Sequence, residues 1–212
     1  VTVKPLPTAS VTGSATTVCL NAASPQITFT GSTGTAPYTF SYTLNGVPQT
    51  PVVSNAAGTY TINVPTNAVG PQIYVITNVQ ESSANTCSQA ITGQSYTVTV
   101  NPLPQAAIAG AITVCLNAPA PPITFTGSGG TAPYTFNYTI NGVAQTPVVS
   151  NAAGIYTLNA PTNVAGTFVY SITTVTDASI TLCNQSYNNT VTTTVTVKPL
   201  PTASVTGSAT TV

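Results

Sequence analysis

Histidine, methionine and tryptophan are absent from this 212-residue chain, and charge nearly so: Lys4, Lys198, Glu81 and Asp177 are its only charged side chains. Enzyme chemistry brings titratable groups together, as a nucleophile beside a base, paired carboxylates or metal ligands. Here the two carboxylates fall at matching points of different repeats, so neither has an acidic partner in its own module. The many Ser and Thr hydroxyls have no base to take their proton. The chain is therefore expected to be no enzyme, with no catalytic residue. Nucleic-acid affinity comes from Lys and Arg on phosphates, which two lysines cannot supply. Zinc needs four close Cys or His ligands, yet the four cysteines form no C-x-x-C pair. Calcium modules need clustered carboxylates, and no phosphate loop or dinucleotide fingerprint is present. No metal and no cofactor are expected. No apolar run of about 18 residues occurs, so no membrane-spanning segment is expected.

What is present points to strands. Hydrophobic residues make up 42% of the chain, whereas disorder pairs low hydrophobicity with high net charge. Thr, Val, Tyr and Ile are abundant, and these fit a pleated surface. No stretch carries apolar residues at helical spacing with a polar opposite face.

Internal repetition organises the sequence. Gly34-Thr35-Ala36-Pro37-Tyr38-Thr39-Phe40 recurs unchanged at Gly130 to Phe136, a shift of 96. Asn45-Gly46-Val47 recurs at Asn141 to Val143, and Thr50 to Gly58 recurs from Thr146 to Gly154. Pro5-Leu6-Pro7 returns as Pro102-Leu103-Pro104 and again as Pro199-Leu200-Pro201, steps of 97. Residues 195–212 are identical to residues 1–18, a shift of 194. Two slightly different modules thus alternate, and the expected division is 1–100, 101–197, and 198–212 as the start of the next repeat. The sequence reads as a window on a longer array. One 194-residue period holds one cation and two anions, so a long array would be faintly acidic.

Each module reads as short strands separated by turn signals, the pattern of a β-sandwich. Ile27 and Phe29 alternate with threonines, as do Tyr38, Phe40, Tyr42 and Leu44 with Thr39, Ser41 and Thr43. Period-2 alternation sends aromatic rings to one face and hydroxyls to the other. Asn45-Gly46 marks a type I′ hairpin, because both residues accept φ > 0. Pro48 and Pro51 place the strand after it at a sheet edge. Tyr60, Ile62 and Val64, then Ile73 to Val79, then Tyr96, Val98 and Val100 complete the set, and the second module repeats it. About seven strands per module is the size of an immunoglobulin-like domain. The expected fold is all-β: immunoglobulin-like sandwiches in an elongated array.

Cys19 and Cys87 lie 68 residues apart, as do Cys115 and Cys183. An even count at repeated spacing, without metal motifs, reads as one disulfide per module in an oxidising compartment outside the cytoplasm. Such a bond would staple the margin of each sandwich, Cys19 to Cys87 and Cys115 to Cys183. Two free thiols, or a bond across modules such as Cys87 to Cys115, are the alternatives.

These motifs together resemble the PKD-like, immunoglobulin-like tandem repeats of giant cell-surface proteins of Bacteroidota, among them flavobacterial gliding-motility adhesins. The matching features are the Thr17-Val18-Cys19-Leu20-Asn21 opening, Ile27-Thr28-Phe29-Thr30-Gly31, Gly34 to Phe40, the Cys87-Ser88-Gln89 loop and the closing Thr97-Val98-Thr99-Val100-Asn101-Pro102-Leu103-Pro104. The resemblance implies export by type IX secretion, an extracellular place at the cell surface, and service as stalk, filament or adhesin. It carries no catalytic residues.

The Pro-Leu-Pro joints are short and semi-rigid, since proline fixes its own φ and restrains the residue before it. Outward faces rich in Thr, Ser, Asn and Gln, with little charge to protect sheet edges, suit pairing between copies. The expected role is structural: a repeat segment of a secreted fibre or stalk, whose partners are neighbouring repeats and other copies of itself. The alternative is an adhesin that binds surface glycans through its most variable loops, Gln80–Gly93 and Thr176–Asn189. Sequons at Asn137, Asn184 and Asn188 match N-x-S/T, a pattern common by chance in so Asn- and Thr-rich a chain. A Lys4–Asn isopeptide bond would reach at most alternate modules, because Asn101 stands where Lys4 stands.

Overall fold

The computed structural model describes residues 3–207. Residues 1–2 of the expected first module and 208–212 of the expected third-repeat segment lie outside the described residues. Every regular element among the described residues is a strand, and the chain divides into two compact units between Pro102 and Leu103.

The first unit contains β1 (Thr8–Gly13), β2 (Thr17–Cys19), β3 (Gln26–Ser32), β4 (Thr39–Leu44), β5 (Val47–Pro48), β6 (Val52–Val53), β7 (Thr59–Asn63), β8 (Gly70–Gln80), β9 (Ser88–Ala90) and β10 (Ser95–Asn101). One sheet runs β1-β3-β7; the other runs β2-β10-β8-β4-β5, with β6 on β4 and β9 on β8. The second unit repeats the plan with β11 (Gln105–Ala109), β12 (Ile112–Cys115), β13 (Pro122–Ser128), β14 (Thr135–Ile140), β15 (Val143–Ala144), β16 (Val148–Val149), β17 (Ile155–Asn159), β18 (Gly166–Thr176) and β19 (Asn184–Lys198). Its sheets run β11-β13-β17 and β12-β19-β18-β14-β15, with β16 on β14. All pairings are antiparallel except β2 with β10 and β12 with β19, which are parallel. Each unit is an all-β sandwich of the immunoglobulin-like class.

The Thr/aromatic alternation builds the core. Ile27, Phe29, Phe40, Ile76, Val79 and Val98 are fully buried between the sheets of the first unit, and Ile123, Phe125, Phe136, Ile172, Val175 and Val195 in the second. Phe29 stands edge-on to Phe40 at 5.7 Å and to Tyr42 at 5.2 Å between centroids. Burying such a side chain is worth about 1.5–3 kcal/mol, so each unit carries a core of its own. Gly31 is part of this packing: a Cβ there would meet the Tyr38 ring at 2.4 Å, so the ring lies flat on β3 only because no side chain intervenes.

Asn45 and Gly46 have φ of 49° and 80°, the conformation that a I′ turn requires. The edge strand predicted after this turn is two fragments, β5 and β6, separated by the Gln49–Pro51 stretch and both paired to β4. Period-2 reading also misses a phase change. Ser41 pairs with Asn78 but Tyr42 with Ile76, so Thr77 is an extra residue in β8, and its hydroxyl donates to the Ser41 carbonyl at 3.1 Å. That bulge moves the inward side chain from Ile76 to Val79, three residues on, instead of to Asn78. Thr173 repeats it in β18.

Candidate functional site at the two ends of each module

Strand directions give each module a leading end, where the chain enters, and a trailing end, where it leaves. In the first module Thr8 opens β1 opposite Ser32, so the leading end gathers Pro7, the Thr33–Pro37 loop and the β8–β9 loop. At the trailing end Cys19 closes β2 opposite Asn101, the last residue of β10, and the Leu20 N–H donates to the Asn101 carbonyl at 2.8 Å.

The leading end is organised by a buried carboxylate. Glu81, 2% exposed, accepts from the Thr35 N–H at 2.7 Å and from the Ser83 hydroxyl. The Ser82 N–H returns a bond to the Thr35 carbonyl at 3.0 Å. Gly34 has φ +114°, and a Cβ there would stand 2.5 Å from Glu81 Oε2. The Ser83 hydroxyl and Thr35 N–H hold the Glu81 carboxyl below its ordinary range, with Cys87 adding to them and burial opposing. In the second module Asp177, 3% exposed, takes the same post: it accepts from the Thr131 N–H at 3.2 Å and the Ser179 hydroxyl at 2.7 Å. The Ala178 N–H donates to the Thr131 carbonyl at 2.8 Å. Asp is one methylene shorter, and the Thr131 contact is correspondingly longer. Both acidic residues of the chain are thus structural clasps on the segment that the repeat leaves unchanged, with the Ala36–Pro37 and Ala132–Pro133 peptides cis within it. The matched position of the two carboxylates, one per module, is visible in the sequence, where it argues only against paired-carboxylate catalysis; that each one faces the Gly34–Phe40 segment or its copy is supplied by the fold.

The expected pairing of cysteines within a module is corrected by the structure. Cys87 and Cys115 are free thiols, while Cys19 and Cys183 are disulfide-bonded. Strand geometry gives the reason. Cys19 sits level with the Gly70 end of β8, because Asn101 is its partner and Val100 pairs with Gly70. Cys87 precedes Ser88, which pairs with Gln80 at the other end of that strand. The ten steps from Gly70 to Gln80 span about 30 Å at roughly 3.3 Å each, and a disulfide needs Cα atoms within about 7 Å. The second module has the same layout: Cys115 lies opposite Lys198 beside the Val197–Gly166 pair, and Cys183 precedes Asn184, which pairs with Thr176. A cystine stapling one margin of a module is therefore excluded by the fold.

The loops singled out as variable lie at the leading ends. In the second module that loop exposes Ile180 (90%) and Leu182 (61%), where the first has Ala84 and Thr86. Among the described residues no three His, Cys, Asp or Glu cluster as metal ligands would, and no helix is long and apolar enough to cross a membrane.

No protein-family model and no curated protein matches the chain. Solved structures do, at low identity. A marsupial T cell receptor is 14% identical with a TM-score of 0.51, covering 95% of this chain and 76% of the receptor chain. A 1.5-MDa bacterial ice-binding adhesin, described for host cell surface retention, is 16% identical with a TM-score of 0.46, covering 91% of this chain and 65% of the other. Fibronectin(III)-like modules of Clostridium thermocellum CbhA are 15% identical with a TM-score of 0.37, covering 93% of this chain and all of theirs. The likeness to the receptor agrees with the immunoglobulin-like class already read from the sheets.

Proposed function

We propose that this chain is a non-catalytic structural segment of a secreted fibre or stalk at the cell surface, built by tandem repetition of one sandwich. The observation that carries the reading is directional. In each module the chain enters beside the Ser32- or Ser128-ended strand and leaves at the opposite end of the sandwich, beside Cys19 or Cys115. A three-residue Pro-Leu-Pro joint follows β10, so repetition of the unit adds length. Each repeat brings a core of its own, and its near-chargeless hydroxyl surface favours neighbouring repeats and other copies of the chain as partners. Export to the cell exterior fits the presence of disulfide-bonded cysteines. Assignment to the PKD-like repeats of Bacteroidota, with type IX secretion, is the finer part of this proposal and rests on the motif resemblance. Electron microscopy of the purified protein tests it: filaments or laterally associated threads are expected, and dispersed compact particles at every concentration would refute it.

A second reading has one observation in its favour. The leading-end loop changes from Ser82-Ser83-Ala84-Asn85-Thr86 to Ala178-Ser179-Ile180-Thr181-Leu182 between modules and exposes two apolar side chains in the second. An adhesin would vary such a loop while leaving its scaffold unchanged. A glycan array separates the readings, since a structural stalk gives no selective signal.

A further inference from the structure

The three N-x-S/T sequons all lie in the second unit, and the fold treats them differently. We propose that Asn188 is a glycosylation site, whose amide nitrogen takes a sugar from a diphosphate-activated donor, and that Asn137 and Asn184 are not. The inference stands on the second unit alone and depends on neither the fibre nor the adhesin reading.

An acceptor must offer its amide, and the backbone around it, to the cleft of a transferase. A residue whose backbone is tied into a ladder can do so only by local unfolding. Asn137 sits inside β14, between β18 and the β15–β16 edge, and is half-buried. Its Nδ2, the atom that would carry the sugar, donates to Thr174 Oγ1 at 2.6 Å. Asn184, Gln185 and Ser186 form consecutive rungs of β19 with Thr176, Val175 and Thr174.

Asn188 differs. Ser186 pairs with Thr174 and Val191 with Ile172, so residues 187–190 stand opposite the single Thr173. Four residues against one make a bulge, and Asn188, Asn189 and Thr190 are all exposed on it. The bulge is held at both ends. Tyr187 packs against the core and its hydroxyl accepts the Ala106 N–H at 2.7 Å, while Val191 packs against the same core on the other side. The whole Asn188-Asn189-Thr190 acceptor is thus presented outside the ladder on fixed supports.

The first unit shows that the bulge belongs to the fold and the sequon does not. There the Ile91 N–H donates to the Thr77 carbonyl at 2.9 Å and the Ile76 N–H to the Gln94 carbonyl at 3.0 Å, enclosing the same excursion. Gly93, with φ of 72°, stands where Asn189 has φ of 53°. Asn is the side-chain-bearing residue that tolerates this conformation best. Thr92-Gly93-Gln94 thus becomes Asn188-Asn189-Thr190, an acceptor motif on a conserved bulge. Four charged side chains give this chain little hydration from charge, and a sugar is a bulky, solubilising group suited to an exposed position.

In the transfer, Asn188 Nδ2 attacks the anomeric carbon of the donor. The new N–C bond forms as the bond from that carbon to the diphosphate oxygen breaks. The diphosphate leaves with the electron pair, and the amide nitrogen gives up one proton to a base of the transferase. Nucleotide-borne and lipid-borne donors share this chemistry.

Glycopeptide mapping of the protein recovered from the cells that make it tests the proposal. Chymotrypsin, cutting after Phe136, Tyr138, Leu182 and Tyr187, parts the three sequons, and fragmentation assigns each sugar to its residue. Asn188 should carry a whole number of sugar residues, a single hexose pointing to a nucleotide donor and a longer chain to a lipid donor. Asn137 and Asn184 should be bare, and Asn188→Gln should remove all of the N-linked mass. Thr92→Asn combined with Gln94→Thr builds the motif on the first unit's bulge around Gly93 and should add a second occupied site. A bare Asn188, a sugar on Asn137 or Asn184, or an unoccupied rebuilt bulge beside an occupied Asn188 would each overturn the assignment.

Discussion

The Glu81 carboxylate accepts the Thr35 backbone N–H at 2.7 Å, which ties the only glutamate of the chain to the loop that both repeats conserve between them. Asp177 and Thr131 restate the relationship in the second module at 3.2 Å. In a protein with so little charge, these carboxylates hold backbone in place.

Removing such a clasp leaves a backbone N–H and a hydroxyl without their acceptor. Asp177→Ala is expected to destabilise the second module by about 1–3 kcal/mol, with Asp177→Asn costing less because a carbonyl acceptor remains. Denaturant unfolding read separately for the two modules checks this, and the first module should be unaffected.

Acid should weaken the first module through Glu81. Its carboxyl ionises more readily folded than unfolded, because the Ser83 hydroxyl and the Thr35 N–H stabilise the anion. The stabilisation is complete above the unfolded value of 4.5 and is lost as pH falls through the lower folded value. Thermal melts should fall in temperature below about pH 4.5 in wild type, and much less steeply in Glu81→Gln.

Alkali acts on the tyrosines. Burial raises the phenol pKa of Tyr42, Tyr74, Tyr138 and Tyr170, assisted by a neighbouring Tyr in each case. Their folded values exceed the unfolded 10.0, so their contribution is complete below pH 10 and is lost as pH rises through the folded values. Spectroscopic titration of tyrosinate should therefore show a late-ionising group of tyrosines released together with unfolding, and Tyr74→Phe should reduce that group without losing the fold.

Gly31→Ala is expected to cost about 1–3 kcal/mol by overpacking, because the added methyl would stand 2.4 Å from the Tyr38 ring. Combining it with Tyr38→Leu should recover part of the loss, a coupling that a double-mutant cycle measures.

Much of the sandwich was legible in its side chains. Ile27, Phe29 and Phe40 announce their buried face by alternation with Thr, and Asn45-Gly46 announces its turn. The strands β1 and β2 were not foreseen, because β1 turns only Ala9, Val11 and Gly13 inward and small residues give little contrast. The bulge at Thr77 was hidden because a threonine looks the same whether it is paired or extra. The cysteines misled for a simpler reason: a separation of 68 residues does not say at which end of a strand each one falls. That depended on the register of Asn101 against Cys19 and of Gln80 against Ser88, which only the folded sheet supplies.

The parallel pairing of β2 with β10 has a mechanical consequence. Tension applied at Thr8 draws the β1–β2 arm backward, and tension at Asn101 draws β10 forward, so the two ribbons slide past each other along their length. The bonds across Thr17–Thr99, Val18–Val100 and Cys19–Asn101 then resist in shear and must yield together, where a peeling geometry would break them one at a time. Ile112–Val195 to Cys115–Lys198 oppose stretching in the same manner. A module pulled by its ends should therefore lengthen little until the whole patch lets go at once.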